Sequence, residues 1–131
     1  MINRRVIVTA IALAAGLAVS TPALAFESKP FDLKAFEAAQ AAGNPILVEV
    51  TAPWCPTCKA QKPILSELTQ KAKFKELMVF EIDFDTQKNL LRKFNVNMQS
   101  TLISYKGARE VGRSTGDTNA SSIEAQLDKS I

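Results

Sequence analysis

The chain of 131 residues has no histidine and only two cysteines, Cys55 and Cys58. Without imidazole, the chain cannot form a Ser–His or Cys–His nucleophile pair or a histidine-ligated zinc site. Two thiols alone cannot complete a four-thiolate zinc or iron–sulfur centre. The length corresponds to a single domain. Any chemistry must therefore rest on few groups, and we expect the protein to use no cofactor.

Long apolar runs are also lacking, except near the N-terminus. There two arginines precede an apolar run over Val6–Val19, and Ala23–Ala25 has the small-x-small pattern of a cleavage site. A membrane anchor is the alternative, but it needs about 20 apolar residues, and Ser20–Pro22 interrupts this run too early. We expect residues 1–25 to be a signal peptide cleaved after Ala25, which leaves residues 26–131 as an exported, periplasmic domain.

The remaining chain has no strong excess of either charge. The whole chain has a net charge of +3, and the two leader arginines account for most of this excess over the acids. Lysines alternate with acidic and apolar residues, as in Lys71–Glu76, which favours a solvated helix face over a nucleic-acid-binding surface. No further apolar run is long enough to cross a membrane. We expect a monomer that neither binds nucleic acid nor spans a membrane.

Helical and strand patterns alternate along the chain. After a short lead-in over 26–31, the predicted order is a helix over 33–42, a strand over 46–51, a helix from Cys55 to about Lys73 interrupted by Pro63, a strand over 78–84, a helix over 86–94, a hairpin over 101–105 and 109–113, and a helix over 119–129. Strands joined through helices pair in parallel, and the hairpin adds an antiparallel pair. The predicted fold is α/β, with three layers and helices on both faces of a mixed sheet.

The two cysteines lie where a strand pattern ends and a helix pattern begins. A helix start carries unsatisfied N–H groups and the positive end of the helix dipole, which stabilise a thiolate at Cys55. Cys58 lies one turn further on, and Pro56 lacks an N–H where a helix needs none. A bridge across so short a loop would stabilise the fold little, so an inert structural disulfide is the weaker interpretation. We expect Cys55 to be the nucleophile and Cys58 the resolving cysteine of a redox disulfide.

These residues resemble a known family. The strand Ile46–Glu49, the motif Trp54–Lys59 and Pro63 are similar to the active-site strand and kinked helix of thioredoxin-fold proteins, and the likeness extends from Asp32 to the last helix. The resemblance implies a thiol:disulfide oxidoreductase acting on protein disulfides. The Cys-Pro-Thr-Cys centre is also similar to that of exported reductases serving cytochrome c maturation.

The resemblance implies roles for two carboxylates. Glu49 takes the place of the family's buried aspartate, and a mid-strand acid in a covered sheet has a raised pKa suited to proton transfer with Cys58. The alternative is a strand acid pointing to solvent at a sheet edge. Glu81 occupies a place where thioredoxins often have a lysine paired with that acid. Either the two carboxylates approach each other and raise one pKa further, or Glu81 lies solvated and far from Glu49.

The resemblance also implies a substrate-binding rim. Trp54 is expected as a partly exposed lid, with Pro56 and Thr57 beside it. The family usually has a cis-proline before Thr101, but here Ser100 stands in that place, so we expect a trans peptide and a different loop. Ser100 could donate a hydrogen bond to Cys55, or it could leave the thiols open to a soft cation.

The residue between the cysteines bears on the direction of electron flow. Oxidases of this fold tend to carry histidine there, and Thr57 cannot stabilise a thiolate in the same way. We therefore expect a reductase supplied with electrons by a membrane-embedded thiol protein. The alternative is a binding module, or a chaperone, in which both thiolates hold a soft metal such as Cu(I).

Overall fold

The computed structural model describes residues 28–131 together with Gly16 and Ala18. It contains five strands, four α-helices and a short 3-10 helix, with the following bounds: β1 Lys29–Pro30, α1 Leu33–Ala41, β2 Pro45–Thr51, α2 Pro56–Thr69, the 3-10 helix Ala72–Phe74, β3 Met78–Asp83, α3 Lys88–Lys93, β4 Thr101–Lys106, β5 Arg109–Thr115 and α4 Ala120–Asp128. The predicted signal peptide and its cleavage site lie, apart from Gly16 and Ala18, outside the described residues.

The strands form one mixed sheet in the order β1-β3-β2-β4-β5. β1, β3 and β2 pair in parallel, while β4 and β5 pair antiparallel to their neighbours. The central strand β2 is buried along its length from Ile46 to Thr51. In the register of β2 with β3, Glu49 lies directly beside Glu81. The sheet therefore brings the two singled-out carboxylates onto neighbouring strands.

Helices cover both faces of the sheet, as predicted. Strand residues alternate between the faces, so that Phe80 and Ile82 of β3 pack in one core and Val79 in the other. The first core contains α1 and α3 residues such as Phe36 and Leu91, and the second contains the α2 and α4 residues Leu65, Leu68, Ile123 and Leu127. No helix of the described part is long and apolar enough to cross a membrane.

Several element boundaries differ from the sequence-based expectation, including the end of β5, which lies at Thr115 rather than at Arg113. The lead-in contains the two-residue strand β1, which is too short to give a pattern of alternation. Helix α2 ends at Thr69 rather than near Lys73, because Lys71 is extended and a separate 3-10 turn follows. Helix α3 begins at Lys88 rather than at Thr86, because the Asp83 carboxylate accepts the backbone N–H groups of Asp85 and Thr86 and holds them in a turn before the helix.

Candidate active site

The two cysteines form a disulfide at the beginning of α2. Cys55 is the N-cap residue, with extended backbone, and its sulfur accepts a hydrogen bond from the backbone N–H of Cys58 at 3.1 Å. Pro56 fills the first helical position, where no donor is required. The sulfur of Cys55 thus faces the N–H groups that the helix cannot satisfy itself. This arrangement favours negative charge on that sulfur when the disulfide is reduced.

The disulfide is covered in this state. Cys55 is 0% exposed and Cys58 is 1% exposed, and both pack with Ala52 and Phe84. Nucleophilic displacement at sulfur requires direct access to the sulfur atom. A partner thiol therefore reaches the disulfide only when the segments around it move aside.

An exposed aromatic rim stands beside the disulfide. Trp54 is 55% exposed, which agrees with the expected lid, and Met98 across the site is 54% exposed. The indole N–H of Trp54 donates to Oδ2 of Asp85 at 2.8 Å, and its ring meets that of Phe84 edge to face. Asp85 was not identified from the sequence, because it lies 31 positions away and no local spacing connects it to Trp54.

Glu49 is buried in the central strand β2. It is 1% exposed, and neither of its carboxylate oxygens has a hydrogen-bond partner in the described part of the chain. Burial raises the pKa of Glu49 from 4.5 to about 7, while nearby Lys62 lowers it and Glu81 raises it. The interpretation as a solvated acid at a sheet edge was therefore wrong. Glu49 instead titrates close to neutrality, where it can both accept and release a proton.

A lysine on the cysteine-bearing helix joins the two carboxylates. Nζ of Lys62 lies 3.9 Å from Oε1 of Glu49 and 3.7 Å from Oε2 of Glu81, and the Ser28 hydroxyl also donates to Glu81. Glu81 is thus close to Glu49, and the expectation of a distant, solvated Glu81 was wrong. The cation that the family often carries on β3 comes here from α2. Sequence reasoning missed Lys62, although its spacing of one turn after Cys58 placed it on the same helix face.

A cavity of about 260 Å³ links this ion cluster to the resolving cysteine. Its walls include Cys58, Lys62, Glu81 and Asp83. A cavity of this size with several polar groups can hold a few water molecules. The cavity therefore gives protons near Cys58 a polar route past Lys62 to the surface.

The loop before β4 has the expected trans peptide at Ser100 but not the hydrogen bond from Ser100 to Cys55. The described residues contain no cis peptide bond, so the Gln99–Ser100 bond is trans, as predicted. However, the Ser100 hydroxyl donates to the Gln99 carbonyl at 2.7 Å, so the predicted hydrogen bond to Cys55 was wrong. The neighbouring Thr101 is buried, and its hydroxyl donates to the Met98 carbonyl. Both hydroxyls therefore donate to carbonyl groups of the same loop and stabilise its conformation.

A disulfide at the start of a helix, packed on a mixed sheet that contains a buried acid and has helices on both faces, is the arrangement expected of a thiol:disulfide oxidoreductase. The chain matches the thioredoxin family over residues 27–129, and it belongs to that family. It is 30% identical over 97 residues to a thioredoxin of Aspergillus fumigatus, covering 73% of this chain and 87% of the relative. It is 34% identical over 85 residues to a thioredoxin of Mycobacterium bovis, covering 64% and 72%.

Solved structures agree with this assignment. The crystal structure of Trxlp from Edwardsiella tarda superposes with a TM-score of 0.74 at 44% identity, covering 77% of this chain and 98% of that one. The central sheet and the helices on its two faces are thus those of a thioredoxin. The predicted fold class and the predicted enzyme class are both confirmed.

Removing Lys62 tests the ion cluster. In Lys62→Ala we expect the pKa of Glu49 to rise above about 7 by roughly one unit, because the nearest opposite charge is lost. Adding Glu81→Lys to this variant should reverse the rise, because it returns a cation to the neighbouring strand. The pKa is read by carbon-detected NMR titration of the carboxylate.

The matched control is Lys59→Ala. Lys59 lines the same cavity on the same helix, but it makes no ion pair among the described residues. Equal shifts of the Glu49 pKa in Lys62→Ala and Lys59→Ala would mean that the net charge of the protein, rather than the position of Lys62, controls this pKa.

Proposed function

We propose that the protein is an exported reductase of protein disulfides, in which Cys55 is the nucleophile, Cys58 resolves and Glu49 carries the proton. The single observation that supports this role best is the position of Cys55 as the N-cap of α2, with its sulfur accepting the Cys58 N–H. That contact stabilises a thiolate, and the thiolate is the form that attacks disulfides.

The reaction transfers two electrons from the dithiol to the substrate. The Cys55 thiolate attacks one sulfur of a substrate disulfide, forming a mixed disulfide and releasing the other substrate sulfur as a thiolate. Glu49 then takes the proton of the Cys58 thiol, and the Cys58 thiolate attacks the Cys55 sulfur. The Cys55–Cys58 disulfide forms, and the second substrate sulfur leaves as a thiolate. Water from the cavity beside Lys62 carries the proton of Glu49 to solvent.

The redox potential decides the direction of transfer. Thr57 adds no positive charge between the cysteines, so the reduced form is not stabilised as it is in strongly oxidising members of the fold. We expect a potential near about −270 mV, measured by equilibration with glutathione or dithiothreitol. A value above about −150 mV would instead identify an oxidase.

Export determines the electron source. The leader-like pattern over residues 1–25 supports a mature protein in the periplasm, where a reductase must receive electrons across the membrane. A membrane-embedded thiol protein is the matching donor, and apocytochrome c is one candidate substrate. Cell fractionation with N-terminal sequencing tests this: a mature chain beginning at Phe26 supports export, and an intact chain in the cytoplasm contradicts it.

Binding of a soft metal is the second candidate function. Two thiolates can hold Cu(I), and the trans Ser100 loop leaves the family's proline absent from the position facing them. Copper analysis of reduced protein, together with insulin reduction, separates the two functions. Stoichiometric copper without turnover favours the metal-binding module.

A further inference from the structure

A buried glutamine connects the active-site helix to two loops. Gln61 lies on α2, one turn after Cys58, and it is 0% exposed. Its side-chain amide nitrogen donates to the carbonyl of Ser100 at 3.2 Å and to the carbonyl of Asp117 at 2.9 Å. The first carbonyl belongs to the loop before β4, and the second belongs to the loop before α4. One side chain thus joins three segments around the disulfide.

The loop that Gln61 holds has a costly backbone conformation. Ser100 has a φ of 56°, in the left-handed region that residues with a side chain rarely adopt. Such a conformation persists only when its surroundings fix it. Here the Ser100 N–H donates to the Val50 carbonyl at 2.8 Å, and the Ser100 carbonyl accepts from Gly116 as well as from Gln61. Hydrogen bonds therefore fix this segment of the loop.

The chemistry of Gln61 does not match that of a residue that only fills the core. Its oxygen Oε1 is buried and has no hydrogen-bond partner in the described part of the chain. An unpaired buried acceptor destabilises a fold, and an apolar side chain of the same size would avoid that cost. Because both neighbouring groups are carbonyl acceptors, the amide nitrogen has to face them. Gln61 therefore donates two hydrogen bonds, while its unpaired Oε1 lowers the stability of the fold.

We propose that Gln61 is a positioning residue for protein substrates, which holds the Met98–Ser100 segment in place beside Cys55 through the Ser100 and Asp117 carbonyls. Because Gln61 joins this loop to the helix that carries both cysteines, a protein disulfide that docks at the start of α2 also covers the loop. A small disulfide needs only the sulfur atom of Cys55. Loss of the Gln61 amide therefore weakens the reduction of protein disulfides but not the reduction of small disulfides. This inference rests on the proposed reductase function.

The test compares two glutamine-to-methionine variants with two substrates. Gln61→Met keeps the size of the side chain but removes its donors. Gln126→Met is the matched control, because Gln126 is also buried and donates to the Leu102 carbonyl and the Ser104 hydroxyl, but among the described residues it has no hydrogen bond to Ser100. We expect the KM for insulin to rise roughly ten-fold in Gln61→Met, while the rate with hydroxyethyl disulfide stays at the wild-type value. Gln126→Met should leave the KM for insulin and the rate with hydroxyethyl disulfide unchanged.

Each other outcome overturns the inference. Unchanged insulin kinetics in Gln61→Met, or an equal loss with both substrates, would reduce Gln61 to an ordinary structural residue. If Gln61→Met does not fold, as judged by circular dichroism, Gln61→Leu supplies the same comparison, because it also removes the donors and introduces no buried charge. If the wild-type protein reduces neither disulfide, the proposed function itself is wrong. If the wild type is active and Gln61→Met is equally active, only the role of Gln61 is contradicted.

Discussion

Cys55→Ser should lower insulin reduction by at least about 10³-fold, because the one remaining thiol, Cys58, has no second cysteine to resolve a mixed disulfide and cannot complete the turnover. The substitution is well matched to the site, since serine is also a favourable N-cap residue and its oxygen can accept the Cys58 N–H. The loss should therefore occur in a folded protein, which circular dichroism and thermal melting can verify.

Cys58→Ser provides the complementary result. The nucleophile remains, but the step that releases the substrate is blocked, so a mixed disulfide between Cys55 and the substrate should accumulate. Non-reducing electrophoresis and mass spectrometry detect this species. If the trapped disulfide formed in Cys55→Ser instead, the assigned roles of the two cysteines would be reversed.

Glu49→Gln should make the protein more stable and less active at the same time. The pKa of Glu49 is about 7 in the folded chain, compared with 4.5 as its ordinary value. Below pH 4.5 Glu49 is protonated in both the folded and the unfolded chain, and the folded state loses no stability. As the pH rises from the lower value to the higher one, the unfolded chain gives up its proton more readily, and the folded state loses about 3 kcal/mol of stability. The amide of the variant does not titrate, so the variant escapes this loss.

Denaturant unfolding of the disulfide form at two pH values measures the gain. We expect Glu49→Gln to be about 3 kcal/mol more stable than the wild type at pH 8 and close to equal to it at pH 4. Turnover at pH 7 should fall about 10²-fold, because Cys58 loses its proton acceptor. Glu37→Gln, on the exposed face of α1, is the control and should change neither quantity. Equal stability of Glu49→Gln and wild type at pH 8 would contradict a buried acid with a raised pKa.

Local patterns were sufficient to predict where the two cysteines lie and that they pair. The position of Cys55 at a helix start follows from the strand before it and from Pro56, and both are contiguous in the chain. The burial of Glu49 follows from its place among apolar residues in a central strand. These features depend on neighbours in the sequence, so the sequence alone could predict them.

The groups that tune the site depend on tertiary contacts. Lys62 meets Glu49 and Glu81 only because α2 lies across β2 and β3, and Asp85 reaches Trp54 from the end of β3. The direction of the Ser100 hydroxyl depends on the left-handed φ of this residue, which no residue pattern predicts. Helical spacing from Cys58 was the one sequence signal that pointed to Lys62 and Gln61.

The ionisation of Cys55 in the reduced protein tests the central claim most directly. Burial of this residue opposes a thiolate, whereas the helix start and the Cys58 N–H favour one, and we expect the helix start to dominate. The rate of alkylation by iodoacetamide, followed against pH in Cys58→Ser, gives the pKa of the Cys55 thiol. A pKa clearly below the ordinary thiol value of about 8.5 agrees with the account, and a pKa at or above that value contradicts it.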